Sequence, residues 1–188
     1  MTTRTFPSTF EDLLLSRRSI RSFQVRSVET EKLTAILEAA NAAPSAGGLQ
    51  SYRIVCVTRP NDRKALARAA SGQEFVKEAP VVLAFLADLP RSSDKFGEQK
   101  ARMFAIQDAT IACAYAQLRA HDLGLGSTWV GAFDEGEVSR IVGGNEDLRP
   151  VALLPIGYGD GTPEATPRRG LNDLVHHLEE GTRPLWDP

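Results

Sequence analysis

The chain has 188 residues, of which 42% are apolar and 24% charged, with a formal net charge of −2. That length suits one domain able to bury roughly 70% of its unfolded surface. Its faintly acidic balance excludes broad nucleic-acid binding, which needs a basic face, and no apolar run approaches the roughly 20 residues that cross a bilayer.

Residues 1–8 read as a loose arm. Ser8-Thr9-Phe10-Glu11 then reads as a capping box, opening a helix with Phe10, Leu13 and Leu14 at helical spacing. The helix runs into Ser16-Arg17-Arg18-Ser19-Ile20-Arg21, where three arginines fall close together in a chain of negative net charge. Four roles compete for them: an export signal, a nucleic-acid patch, a solvated helix end and a pocket for a small anion. A twin-arginine export signal needs an apolar stretch directly afterwards. The continuation Arg21-Ser22-Phe23-Gln24-Val25-Arg26-Ser27 is polar and basic, so the expected compartment is the cytoplasm. The nucleic-acid role falls with the overall charge. A helix C-terminus stabilised by cations and an anion pocket both remain.

A second helix is expected from Thr30, with Leu33, Ile36, Leu37 and Ala40 at i, i+3, i+4 and i+7. It ends near Pro44, in the loop Ser45-Ala46-Gly47-Gly48-Leu49-Gln50. Glycines there allow close backbone approach to a flat ligand, and Ser45 and Gln50 offer hydrogen bonds to its edge. An ordinary helix cap with Gly47 after its end accounts for the same residues. Tyr52–Thr58 reads as a strand, 63–70 as a short helix, Val81–Ala87 as a strand covered on both faces, and 89–98 as a mobile polar connection.

From Gln99 to His121 apolar side chains cover nearly the whole circumference of a long helix. A helix apolar all round is buried on all sides, so a second subunit is expected to cover part of it, with Ala112 a candidate for the shared face. Ser127–Phe133 reads as a strand ending in a loop, 135–141 as a helix capped by Asp134, and Val151–Gly159 as the last strand. Both cysteines, Cys56 and Cys113, sit among apolar neighbours and read as small buried side chains. No repeat or linker divides the chain, so residues 1–188 are expected to form one α+β domain.

Several chemistries are excluded. Gly124-Leu125-Gly126 follows a helix and enters a strand, the reverse of a dinucleotide fingerprint, and no Walker loop, GxSxG elbow or HExxH is present. His121, His176 and His177 form no ligand set for a metal, adjacent histidines being unable to share one ion from regular structure. What remains is anion chemistry without a protein nucleophile. A late basic pair, Arg168-Arg169, would allow a phosphate to be compensated from both ends of the sequence.

SRRSIRSF, APSAGGLQ, AIQDATIACAYAQL, GLGSTWVGAF, LLPIGYG and PRRGLNDLV resemble, in content and order, the nitroreductase family of FMN-dependent oxidoreductases, over residues 16 to 176. The resemblance implies an FMN-binding fold with a central, mostly antiparallel sheet flanked by helices, in an intertwined homodimer. It implies that Arg17, Arg18, Ser19 and Arg21 bind FMN, Arg17 towards the phosphate and Arg21 towards the ribityl chain and the N1/O2 edge. It further implies that Pro44, Ser45 and Ala46 meet the isoalloxazine of the other subunit, that backbone N–H groups of Gly131 and Ala132 approach flavin N5, and that Arg168 and Arg169 serve the phosphate. Gln73 is a candidate for the pyrimidine edge.

The implied activity is hydride transfer from NADH or NADPH through FMN to nitroaromatics, quinones or related electron-poor acceptors, by a ping-pong mechanism. No catalytic side chain is then required, because the cofactor carries the chemistry. Alternatives are a specialised flavoenzyme (azoline oxidation, flavin cleavage or dehalogenation) and a non-catalytic flavin-binding or sensing protein. Many relatives read Gln-Pro-Trp where this chain has Gln50-Ser51-Tyr52, and larger ones build a helical lid where it has the short segment 89–98. Both differences bear on the substrate.

Overall fold

A computed structural model describes residues 9–175. Four antiparallel strands form one sheet in the order β1-β2-β4-β3: β1 (Tyr52–Val57), β2 (Val81–Asp88), β3 (Gly126–Ser127) and β4 (Leu148–Gly157). Strand β2 lies between β1 and β4 and is buried along almost its whole length, as its continuous apolar run predicts. Alternation splits that run between two cores. Val81, Leu83 and Phe85 join Ala152, Leu154 and Ile156 of β4 beneath α2 (Thr30–Asn41) and α6 (Glu98–Asp122). Val82, Ala84 and Leu86 join Leu153 beneath α3 (Pro60–Ala69), α4 (Phe75–Glu78) and α7 (Glu135–Val142). The result is the α+β architecture expected, with helices on both faces of the sheet.

Local chemistry sets the helix boundaries. In α1 (Phe10–Ser16) the cap is Thr9, whose hydroxyl accepts from the Asp12 N–H at 3.1 Å. The capping signal therefore works one residue later than expected, still with an acid at its third position; Ser8 lies outside the described residues. Pro60 opens α3, where its fixed φ suits the first turn. Asp134 caps α7 through the Glu137 N–H at 2.8 Å, and Gly143 ends it with left-handed φ.

Four expectations are corrected. Segment 89–98 contains helix α5 (Leu89–Phe96), which buries Ser92 and stacks Phe96 edge-on against Phe104 of α6 at 4.6 Å. Its few apolar residues lie on one face, and that amphipathicity outweighs its polar composition. The strand expected over Ser127–Phe133 shrinks to two residues and an isolated bridge between Val130 and Leu153. Ala112 is buried in the chain's own core, because α6 turns a stripe of small residues (Ala101, Ala105, Ala109, Ala112, Ala116) onto the sheet and α2. The opposite face of α6, with Met103, Ile106 and Tyr115, is the exposed one. Finally, Cys113 is buried and burial pushes its thiol up, but Cys56 is exposed, on an edge strand whose faces are only partly covered.

Between α1 and α2 the chain runs as a strap along the sheet's outer edge. The Ile20 N–H donates to the Ser127 carbonyl at 2.9 Å, and the Gln24 N–H to the Tyr158 carbonyl at 2.8 Å. Gly126 permits this approach: a Cβ there would stand 2.7 Å from the Ile20 side chain. Covering the β3 edge also removes an unpaired ladder from solvent.

Candidate functional site

The strap is fixed at both ends. At its start Ser16 Oγ donates to the Asp12 carbonyl (2.6 Å) and lies 2.8 Å from Nε2 of His121, tying α1 to the end of α6. At its far end the Arg26 guanidinium lies 3.6 Å from the centre of the Tyr158 ring, and the Tyr158 hydroxyl donates to Glu29 at 2.7 Å. This hydroxyl is the first cause that holds the Glu29 carboxyl at about 2. Ile20, buried in between, plugs the strap into the fold.

Arg17, Arg18, Ser19 and Arg21 consequently line one cleft of about 250 Å³, with Leu14 and Leu15 on the apolar side and Pro163, Glu164, Ala165, Thr166 and Arg168 opposite. Residues from both ends of the sequence thus meet, as the anion-pocket expectation requires. The other expectation holds for one of them: Arg18 Nη1 donates to the carbonyls of Leu15 (2.6 Å) and Arg17 (2.9 Å), closing the end of α1. The Arg17 guanidinium has no hydrogen-bond partner among the described residues. Its pKa is lowered, first by burial and then by Arg168 and Arg18. Half-buried cations crowded in this way favour an anion strongly, because it removes both the desolvation and the repulsion. Arg169 lies outside the cleft lining, in a segment from 160 to 174 that is exposed throughout.

A second group continues from Arg21. Its guanidinium lies 6.0 Å from the centre of the Phe75 ring. Nearby, Gln73 Nε2 donates to the carbonyls of Ala70 (2.9 Å) and Ala132 (3.2 Å), which leaves Oε1 as an acceptor. The loop carrying Gly131 and Ala132 is held at one end by the Val130–Leu153 bridge and at the other by the Asp134 N–H on the Ala69 carbonyl, at 2.8 Å. Both glycine and alanine are exposed, and neither N–H finds an acceptor among the described residues.

The third group stands apart. Pro44, Ser45 and Ala46 meet α6 at Asp108, whereas the strap meets it at His121, about 20 Å away along the helix at 1.5 Å per residue. The loop's polar side chains are used internally: Ser45 Oγ accepts from the Gln50 N–H (3.0 Å), and Gln50 Nε2 donates to the Asn41 carbonyl (2.8 Å). These contacts leave the Ser45 hydroxyl proton and Gln50 Oε1 for other partners. The sequence reading missed Glu164 and Thr166 in the cleft, whose loop carries no motif, and Asp108. A lone carboxylate in the apolar stretch of α6 was the available signal for Asp108.

The donor set fits FMN. The cleft offers guanidinium groups and a hydroxyl to a phosphate, and the adjoining row offers free N–H groups and an amide oxygen to a flat ring with donors and acceptors on its edge.

A cationic cleft at the strap-covered edge of an α+β sheet suits a phosphorylated cofactor. The chain belongs to the nitroreductase family, whose model matches residues 14–73 and 67–158. It is 34% identical over 171 residues to a protein of Thermus thermophilus named NADH dehydrogenase, the match covering 77% of this chain and 83% of that one. It is 29% identical over 181 residues to an FMN reductase [NAD(P)H] of Bacillus subtilis, covering 88% and 72%. Its fold matches the NADPH:FMN oxidoreductase of Vibrio harveyi, solved in complex with NAD+, with a TM-score of 0.83 and 27% identity, covering 90% of this chain and 76% of that one. Among the described residues no helix is long and apolar enough to cross a membrane.

Proposed function

We propose that the chain is an FMN-dependent NAD(P)H oxidoreductase acting on flat, electron-poor acceptors such as nitroaromatics and quinones. The observation that carries this reading is the convergence of Arg17, Arg18, Ser19, Arg21 and Arg168 on one cleft, with the Arg17 pKa depressed first by burial and then by Arg168 and Arg18. Arg17 and Arg168 hold the phosphate, and Arg18 shares that task while closing α1. Arg21 would serve the ring's N1/O2 edge, Gln73 Oε1 would accept from its pyrimidine N–H, and the Gly131 and Ala132 N–H groups would serve N5. When bound, FMN would supply the hydride chemistry between nicotinamide and acceptor. Donor and acceptor use one site in turn, which gives parallel double-reciprocal lines. A nicotinamide donor also suits the cytoplasm.

The reading includes a homodimer. Helix α1 buries no residue and exposes Phe10, Leu14 and Leu15. Met103, Ile106 and Tyr115 are exposed on α6, and 160–174 is uncovered throughout. So much apolar surface favours a partner. A second copy would also bring Pro44, Ser45 and Ala46 to the cleft from which they are separated within one chain, and Arg169 to the phosphate. The test is anaerobic titration of the purified yellow protein with NADH and NADPH, followed by a panel of acceptors. Bleaching of the flavin by at least one nicotinamide, reversed by acceptor, is expected. A flavin-loaded protein inert to both would make this a storage or sensing protein.

A further inference from the structure

The long helix carries one buried carboxylate that the proposed chemistry leaves unused. Asp108 is enclosed beneath the loop 44–51. Its Oδ1 accepts from the Ala46 N–H at 2.8 Å and its Oδ2 from the Ser51 N–H at 3.1 Å, so one side chain grips the loop at both ends. Helix α5 grips the carbonyls between: Arg91 Nε donates to Leu49 and Lys95 Nζ to Gly47. Anion on the N–H groups and cations on the carbonyls form a clamp of complementary charge. The loop needs one, because Gly47, Gly48 and Gln50 all hold positive φ, and Gln50 pays a steric penalty there. Burying a carboxylate is costly unless charge-assisted hydrogen bonds compensate it.

We infer that Asp108 is a positioning residue, which sets where the backbone of residues 44–46 stands against the flavin. The inference rests on the proposed contact between this loop and the isoalloxazine held by the partner subunit. Asp108 touches neither cofactor nor substrate; it acts through the Ala46 and Ser51 amides. Replacing it by Asn keeps the size but turns an N–H₂ donor towards one of two N–H donors, breaking one arm of the clamp. The strap and its arginines lie at the other end of α6, so FMN affinity is expected to stay within about threefold, under the tenfold that 1.4 kcal/mol represents. Misplacement of a positioning element by about 1 Å can cost up to a hundredfold in rate, so reduction of the bound flavin by NAD(P)H should slow by about ten- to a hundredfold.

The experiment is hydrogen exchange over 44–51 and over β2, with stopped-flow flavin reduction and FMN affinity, on Asp108→Asn and Ala46→Pro holoprotein. Ala46→Pro keeps the carboxylate and removes only the N–H that Oδ1 accepts. Ser45 is already extended, as a residue before proline must be, and proline suits the first position of a helical turn. In both variants, faster exchange confined to 44–51 and slower reduction are expected, with FMN affinity unchanged in Asp108→Asn. Unchanged exchange over 44–51 in both overturns the clamp and leaves the flavin reading standing. Faster local exchange with wild-type reduction overturns the contact between loop and flavin instead. Exchange that rises equally in β2, or Asp108→Asn failing to fold while Ala46→Pro behaves as wild type, makes Asp108 a core residue only and overturns the inference.

Discussion

The two ends of α6 hold the two halves of the candidate site in opposite ways. At the His121 end the strap presents charge that is left over: the Arg17 guanidinium has cations for neighbours and no hydrogen-bond partner among the described residues. At the Asp108 end the loop 44–51 has its N–H and carbonyl groups matched by Asp108, Arg91 and Lys95. The first half is organised for affinity, since it gains most when an anion arrives. The second is organised for shape, since the Ala46 and Ser51 N–H groups and the Gly47 and Leu49 carbonyls are already satisfied and what they fix is position. Substitutions in the first should change how tightly the cofactor is held, and substitutions in the second how well the held cofactor works.

The largest expected effect lies in the strap. A hydrogen bond to a charged group contributes about 1.5–3 kcal/mol, so Arg17→Ala should weaken FMN binding by roughly 10- to 150-fold. Arg168→Ala should follow it. Arg169→Ala tells whether that exposed side chain reaches the phosphate only across a dimer, its loss then growing with protein concentration. Arg140→Ala, on α7 and paired with Glu137, serves as control and should change little. Fluorescence titration of apoprotein with FMN measures all four, and equal affinities throughout would return the cluster to a plain helix end.

The proposed homodimer ranks next, because it would bring both halves into one flavin site. Met103→Glu places a charge on the exposed face of α6 without entering the chain's own core. Sedimentation should show about half the wild-type mass, together with loss of bound flavin. A monomer that retains flavin would separate the loop from the site.

A smaller effect sharpens the contrast within the loop. Gly47 holds a φ of 59°, where a side chain is strained. Gly47→Ala should lower stability by about 1 kcal/mol and slow flavin reduction, while FMN affinity stays near wild type. Thermal melts and stopped-flow reduction, read together, check it.

The smallest effect concerns pH. The Glu29 carboxyl is held at about 2 against an ordinary 4.5. A depressed carboxylate stabilises the fold above its ordinary pKa and loses that contribution as pH falls through its folded value. Glu29→Gln should therefore be less stable than wild type at pH 7, with the gap closing between about 4.5 and 2. Urea midpoints across that range measure it.

Much of this was legible in the sequence because it rests on local or periodic signals. The alternating cores of β2 follow from an unbroken apolar run, and α2 from the spacing of Leu33, Ile36, Leu37 and Ala40. The meeting of Arg17 with Arg168 was foreseeable only as charge that needed an anion. What the sequence hid was decided by tertiary contact. Helix α5 is polar in composition, and its one buried face emerges only once Phe96 finds Phe104. The face that Ala112 turns inward depends on which side of α6 the sheet occupies. Arg18 and Arg17 look equivalent in the sequence, yet one reaches back to Leu15 and the other is left facing the cleft.

The central claim is that the cleft holds a flavin by its phosphate. The most direct test compares FMN with riboflavin, which carries the same ring and ribityl chain without the phosphate, on apoprotein and on Arg17→Ala. Wild type should bind FMN at least about tenfold more tightly than riboflavin, on the scale of one charge-assisted hydrogen bond, and that preference should shrink in the variant while riboflavin affinity holds. Equal affinity of wild-type protein for the two flavins would contradict the account.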